Sequence, residues 1–243
     1  FALCGERVDI YIASKTTSSG GGQQTAGSSG GRGSSDAGGG GGAPSAVESS
    51  VVGGGAGVNG AEWKYYSSEL TDNHGKLKYV LPKERRLPLG MYQVRMVVKC
   101  DHSTVEFTMA VLPLGTESVV FSIDGSFAAN ISFSGTDPKV RAGAVDVVRH
   151  WQELGYLLIY ITARPDMQHY KVTNWLAQHN FPLGMVYFSD GLSRDPIRQK
   201  TETLRNIVLS NGLKLQAAYG SAKDIPMYAS VGVPPGRIFM IGK

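Results

Sequence analysis

The sequence predicts an α/β protein in which a doubly wound parallel sheet follows a small all-β sandwich. Up to residue 114, short strand-like runs are separated by turn residues. From residue 115, continuous apolar strands alternate with amphipathic helical segments, as in parallel sheets. A Gly/Ser-rich stretch interrupts the first half. We therefore expect domains at 1–114 and 115–243, with a disordered insertion at 14–61.

The composition outside this insertion is that of a folded protein. Of the 243 residues, 42% are hydrophobic, and more than half of the 32 glycines lie between Ser18 and Gly60. The net charge of +4 is a mild excess that permits contact with anionic lipid or phosphate. No basic run or basic–aromatic stripe indicates nucleic acid, so we expect no nucleic-acid partner. No apolar run reaches the ~18–20 residues needed to span a bilayer.

The cysteines and the first residue also bear on the origin of the chain. Cys4 and Cys100 are too few for a disulfide framework, and we expect reduced core thiols in a cytoplasmic protein. Pairing of the two across the sandwich is the alternative. The chain begins at Phe1 without a Met or a visible signal peptide, so we expect it to be a fragment of a longer protein.

The predicted β module consists of short strands around the insertion. Its strand-like runs are 7–12, 62–66, 70–81, 89–99 and 104–112, the third being a hairpin around an Asp-Asn-His-Gly turn. The insertion contains too few aliphatic and aromatic residues to offset its ordering entropy. Two basic clusters, Lys76 with Lys78 and residues 83–86, are interpreted as a solvated face, with contact to an anionic membrane as the alternative.

Five strands and four helices alternate in the predicted parallel-sheet domain. The first helix begins with Asp137 as N-cap and Pro138 at the first helical position, and ends near Gly155. The second places Val172, Trp175 and Leu176 on one face. The remaining predicted helices are 200–210 and 224–231, and the strands are 119–123, 156–161, 185–188, 213–219 and 237–241.

Polar residues follow four of these strands. They are Asp124 and Ser126, Thr162 and Arg164, Ser189 and Asp190, and Lys223 and Asp224. Because the carboxyl ends of parallel strands meet at one edge of a sheet, where α/β proteins bind ligands, we expect a site there. Hydroxyls, cations and carboxylates together favour a phosphate group over a set of unrelated helix caps.

The first strand ends in Ser122-Ile123-Asp124-Gly125-Ser126, which resembles the Asp-x-Asp-Gly-Thr motif of haloacid-dehalogenase (HAD) phosphatases. Further strings resemble the lipin-type (LNS) domain in the C-terminal region of membrane-associated phosphatidylinositol transfer proteins, the retinal degeneration B family. They are residues 121–126, 139–144, 160–165 and 218–224. The β module fits the same region, so the resemblance covers the chain except its insertion. It implies a HAD-like fold and a peripheral membrane protein at contacts between endoplasmic reticulum and plasma membrane that senses phosphatidic acid.

The resemblance also implies roles for individual residues. Ser122 stands at the position of the nucleophilic aspartate, Asp124 at that of the acid/base, and Thr162 at that of the phosphoryl-holding hydroxyl. Lys200 is the candidate for the third-motif lysine, with Lys223 as its rival. The predicted headgroup-binding residues are Ser122, Asp124, Gly125, Ser126, Thr162, Ala163, Arg164, Lys200 and Lys223. Asp124 and Asp224 would form a weak or vestigial Mg²⁺ site.

The serine at the nucleophile position favours binding of phosphatidic acid without turnover. A hydroxyl needs a base to become a nucleophile, and losing a carboxylate lowers the affinity for Mg²⁺. Two alternatives stay open: an active Mg²⁺-dependent phosphatidate phosphatase that uses another acid such as Asp190, and a protein-interaction scaffold whose partners are unknown. Residues 127–133 either dip into the bilayer or form a β-hairpin or a cap packed on the domain.

Overall fold

The described part of the chain contains one antiparallel and one parallel sheet. The computed structural model describes residues 4–14, 62–128, 138–191 and 195–241. Its strands are β1 (Arg7–Ser14), β2 (Lys64–Leu70), β3 (Gly90–Val98), β4 (Thr104–Val111), β5 (Glu117–Ser122), β6 (Leu157–Pro165), β7 (Met185–Ser189), β8 (Lys214–Gly220) and β9 (Ile238–Met240). Its α-helices are α1 (Ala144–Glu153), α2 (His169–Gln178), α3 (Pro196–Asn211) and α4 (Ile225–Ser230). Except for Ser14, the predicted insertion lies outside the described residues.

The parallel sheet has the strand order β7-β6-β5-β8-β9. Its central strand β5 is buried on both faces. Val119 and Phe121 pack with α1 and α2, whereas Val120 packs with α3 and α4. The chain moves outward from β5 through β6 and β7, and then returns to β8 on the other side. In open α/β sheets, ligands bind where the strand order reverses, and here that position is the carboxyl end of β5.

The antiparallel sheet has the order β2-β1-β3-β4. One face is a core of Ile10, Ile12, Tyr92 and Val94. The predicted hairpin at 70–81 is wrong in its second strand, because β2 ends at Leu70 and residues 71–81 form a turn and irregular chain. Side chains from residues 71–89 instead cover the core face, and they are those of Leu77, Tyr79, Leu81 and Leu87. In the described residues the module is therefore one sheet with an irregular covering layer, and no second facing sheet is seen.

The first helix of the parallel-sheet domain begins later than predicted. It starts at Ala144, after Gly143 in the left-handed conformation with φ of 74°. Val140 forms an isolated antiparallel bridge with Ala128, and the Arg141 N–H donates to the Phe127 carbonyl at 2.8 Å. These tertiary contacts hold the segment after Pro138 extended, although its sequence carries a helix-start signal. Asp137 itself lies outside the described residues.

Burial corrects one expectation and bears on an alternative that the sequence left open. Cys4 and Cys100 are exposed free thiols, so the prediction of core thiols is wrong. Phe127 is only 1% exposed and packs against Phe181 in a tilted arrangement, with ring centroids 4.5 Å apart, so this residue belongs to the core and not to a membrane-inserted loop. Residues 129–133 of that segment lie outside the described part of the chain. None of the helices that the structure describes is long and apolar enough to cross a membrane.

Leu204 tests the packing of α3 on the sheet. It is fully buried among Val120, Ile159 and Tyr228, so Leu204→Ala should lower the free energy of unfolding by about 2–5 kcal/mol. Leu209→Ala is the matched control on the same helix. Leu209 is 73% exposed, and its truncation should change stability by no more than about 0.5 kcal/mol. Urea unfolding measures both, and equal effects would contradict the described orientation of α3.

Candidate functional site

The candidate site lies where β5, β6 and β8 end. Ser122 is the last residue of β5 and is fully buried. A five-residue π-helical turn, Ile123–Phe127, follows it and carries Asp124, Gly125 and Ser126. Such turns are rare and are frequently found at functional sites. The strand end and its turn therefore present two hydroxyls and one carboxylate at the edge of the sheet.

The end of β6 holds the Asp124 carboxylate. The Thr162 hydroxyl and the Ala163 N–H each donate to Asp124 Oδ2 at 2.7 Å. Arg164 Nε lies 3.3 Å from Asp124 Oδ1, and both side chains are nearly buried. The Arg164 N–H donates back to Thr162 Oγ1 at 3.1 Å, which fixes the hydroxyl. Asp124 is thus an oriented, ion-paired group.

The second cluster is centred on Lys200. Its Nζ donates to Ser122 Oγ at 2.7 Å and to Asp224 Oδ1 at 2.6 Å. The other Asp224 oxygen accepts from Ser221 N–H at 2.8 Å and from Ser221 Oγ at 2.7 Å. Burial alone would raise the pKa of Asp224, but the Lys200 charge and these hydrogen bonds outweigh it and lower the pKa. Asp224 is therefore ionised at neutral pH.

Local sequence signals position both partners of this ion pair. Asp195 caps α3 by accepting from the Arg198 N–H at 3.0 Å, and Pro196 follows at the first helical position, so α3 begins just before Lys200. At the end of β8, a Cβ on Gly220 would lie 2.8 Å from Asp224 Cβ. Glycine is required there because Asp224 approaches the backbone closely.

The structure brings most of the predicted residues together. Those in the two clusters are Ser122, Asp124, Thr162, Ala163, Arg164, Lys200 and Asp224. Gly125 and Ser126 lie in the π-helical turn beside them. Lys223, the rival of Lys200, is exposed, and the structure places Lys200 between the strand ends instead. The sequence reasoning missed Ser221, although the spacing Ser-x-x-Asp is the signal of a capping box.

Several buried polar atoms of the site have no hydrogen-bond partner among the described residues. Arg164 Nη2 and Ser126 Oγ are potential donors of this kind. Asp124 Oδ1 is an acceptor of this kind, since its approach to Arg164 Nε is an ion pair without hydrogen-bond geometry. Buried polar groups are normally paired with protein, water or an ion, so these atoms are open to a further partner. The guanidinium N–H of Arg164 and the hydroxyl of Ser126 are donors that suit the oxygens of an anion.

The acidic residues of the site do not fit a Mg²⁺ centre. Magnesium binds carboxylate oxygens, but Asp224 is already paired with the Lys200 ammonium and Asp124 with the Arg164 guanidinium. No group of three acidic, histidine or cysteine side chains suited to a metal occurs in the part of the chain that the structure describes. Asp190, the alternative acid, is exposed, and its carbonyl accepts from Gln199 Nε2 at 3.0 Å.

The buried ion pair makes a prediction about stability. Lys200→Met leaves the Asp224 carboxylate uncompensated, so the free energy of unfolding at pH 7 should fall by about 3–5 kcal/mol. The Asp224 carboxylate stabilises the wild-type fold above pH 3.8, its ordinary value, and this contribution is lost as the pH falls toward the lowered folded-state pKa. Urea unfolding at pH 7 and again below pH 3.8 should therefore show the difference in stability between the two proteins narrowing in acid. Exposed Lys171→Met is the control, and a difference that does not narrow would contradict the pairing.

Comparisons with known proteins match both halves of the chain. Residues 119–242 match the family model "PITM 1-3, LNS2 domain", and residues 55–111 match "PITM 1-3, beta-sandwich domain". A chain of the Pnkp1/Rnl/Hen1 RNA repair complex aligns with a TM-score of 0.45 at 13% identity, covering 59% of this chain and 50% of that chain. That similarity is too low to support a conclusion.

Curated relatives share more than half of the aligned residues. Protein retinal degeneration B of Drosophila melanogaster is 57% identical over 182 residues, 75% of this chain and 14% of that protein. Membrane-associated phosphatidylinositol transfer protein 3 of Mus musculus is 55% identical over 74% of this chain and 19% of that protein. Membrane-associated phosphatidylinositol transfer protein 2 of Homo sapiens is 53% identical over 75% of this chain and 14% of that protein. The chain thus spans less than a fifth of these relatives. It belongs to the family of membrane-associated phosphatidylinositol transfer proteins that includes retinal degeneration B, and it carries the family's LNS2 domain.

Proposed function

We propose that the parallel-sheet domain binds the phosphate of phosphatidic acid and does not hydrolyse it. The observation that carries this proposal is the contact between Ser122 Oγ and Lys200 Nζ at 2.7 Å. A hydroxyl becomes a nucleophile when a neighbouring base takes its proton. The neighbour of Ser122 is the Lys200 ammonium, which is paired with the Asp224 carboxylate. The ammonium donates a hydrogen bond to the Ser122 hydroxyl and does not accept its proton.

Charge supports binding of a phosphomonoester. The two cations Arg164 and Lys200 balance the two carboxylates Asp124 and Asp224, so the four groups are neutral together. A third carboxylate at position 122 would make the cluster negative and would repel a phosphate dianion. With Ser122, the unpaired donors Arg164 Nη2 and Ser126 Oγ are available to phosphate oxygens without that repulsion.

The family supports a role at membranes. Its curated relatives are named membrane-associated phosphatidylinositol transfer proteins, and the present chain covers a small part of their length. We propose that this region directs such a protein to anionic membranes from the cytoplasm as a peripheral domain. We propose that it does so at contacts between the endoplasmic reticulum and the plasma membrane. The HAD-like identity of the parallel-sheet domain is part of the same proposal.

Two serines on and after β5 test headgroup binding. Ser126→Ala removes a hydroxyl that has no partner in the described residues, so stability should be unchanged. Its loss as a donor to phosphate should cost about 1.5–3 kcal/mol, which weakens binding to phosphatidic acid vesicles about tenfold or more. Vesicle flotation measures the binding, with phosphatidylserine vesicles for comparison.

The matched control is Ser118→Ala at the amino end of β5. Ser118 is fully buried and its hydroxyl donates to the Lys214 carbonyl at 3.2 Å, so this change should lower stability by about 1 kcal/mol and leave vesicle binding intact. Equal binding by wild type and Ser126→Ala would remove this hydroxyl from the site. Equal binding to both vesicle types would favour a scaffold without headgroup selectivity.

A further inference from the structure

The covering layer of the antiparallel sheet carries a concentrated positive charge. Between residues 71 and 89 there are five basic and two acidic side chains, a net +3 in a chain whose total is +4. All five basic side chains are exposed, and they are those of Lys76, Lys78, Lys83, Arg85 and Arg86. We call these five side chains the basic surface. It lies in the β module, apart from the phosphate site proposed above.

The packing of this layer fixes which side chains face solvent. Leu77, Tyr79 and Leu81 pack on the core of the sheet, and the alternate residues Lys76, Lys78 and Val80 are exposed. Because neighbouring side chains of an extended chain point in opposite directions, burial of the first set holds the second set outward. The basic surface is therefore displayed by the core packing of the module.

The turn after this segment is attached to the edge of the sheet. Arg85 Nη1 donates to the Tyr66 carbonyl on β2. An open groove of about 460 Å³ lies between them, and its lining includes Lys64, Glu84, Arg85 and Arg86. Its walls therefore carry three cations and one carboxylate. An anionic headgroup has the complementary charge.

Exposed aliphatic side chains lie among these cations. Val80 is 72% exposed and Leu89 is 66% exposed. Cations mixed with aliphatic side chains are the combination that contacts the headgroup and upper acyl region of an anionic bilayer.

We propose that the basic surface and its groove are a second membrane contact, which binds anionic lipid through charge. It does not depend on phosphatidic acid or on the phosphate site. Weak contacts on one chain reinforce each other, since binding through one raises the effective concentration of the other at the membrane. The β module would thus hold the chain on any strongly anionic surface, while the parallel-sheet domain selects the phosphomonoester.

Vesicles of phosphatidylcholine with phosphatidylserine, without phosphatidic acid, test this contact separately. The wild-type chain should float with them at low salt, and binding should fall steeply as salt is added. Lys76→Glu with Lys78→Glu should weaken binding about tenfold or more, since each basic residue near the surface contributes a factor of about five. Both side chains are exposed, so circular dichroism should be unchanged.

The matched control is Lys171→Glu with Arg205→Glu, which changes the net charge equally on exposed parts of α2 and α3. It should leave binding close to wild type. Equal loss in both double variants, or none in either, would overturn the proposal, and so would stronger binding to RNA than to vesicles. If the wild-type chain bound phosphatidic acid vesicles but not phosphatidylserine vesicles, the basic surface would fail as a membrane contact while the phosphate site would stand.

Discussion

The hydrogen-bonded ion pair of Lys200 with Asp224 is the interaction on which the candidate site depends. It joins three elements, because Lys200 is on α3, Asp224 follows β8, and the ammonium also donates to Ser122 at the end of β5. A buried charge without its partner is costly, so neither residue is replaceable alone. The same contact bears on the chemistry of Ser122. The Lys200 ammonium that joins the strand ends is also the neighbour of the Ser122 hydroxyl, and that hydroxyl would have to lose its proton to act as a nucleophile.

The remaining site follows from strand order. Parallel strands beside β5 bring Thr162 and Arg164 to one side of Asp124, and Asp224 arrives from the other side after β8. Each carboxylate thereby meets its own cation. The two ion pairs place a cation beside each carboxylate, which disfavours Mg²⁺ there. They leave donors on Arg164 and Ser126 and the acceptor Asp124 Oδ1 without hydrogen-bond partners in the described residues. We propose that this set of groups holds an anion without transforming it.

The sequence was informative where local pattern and burial agree. The apolar strands of the parallel sheet, the helix with Val172, Trp175 and Leu176, and the convergence on Asp124 were predictable from periodicity and strand ends. The choice of Lys200 over Lys223 came from motif resemblance, because both lysines have plausible positions in the sequence and only packing shows which is buried. Long-range contacts were not predictable. The bridge between Ala128 and Val140 keeps the chain extended, so α1 begins later than the sequence predicts. Leu77 and Tyr79 pack on the core of the antiparallel sheet from a segment that is not a strand. No local sequence signal specifies the partners in either contact.

We propose that the site holds phosphatidic acid and lacks the means to hydrolyse it. The most direct measurement is inorganic phosphate released from phosphatidic acid vesicles with Mg²⁺ present, on samples whose vesicle binding is measured in parallel. Wild type should bind the vesicles and release no more phosphate than Asp124→Asn, whose acid/base group is removed. Release by wild type that Asp124→Asn abolishes would contradict the account and show that the site is catalytic.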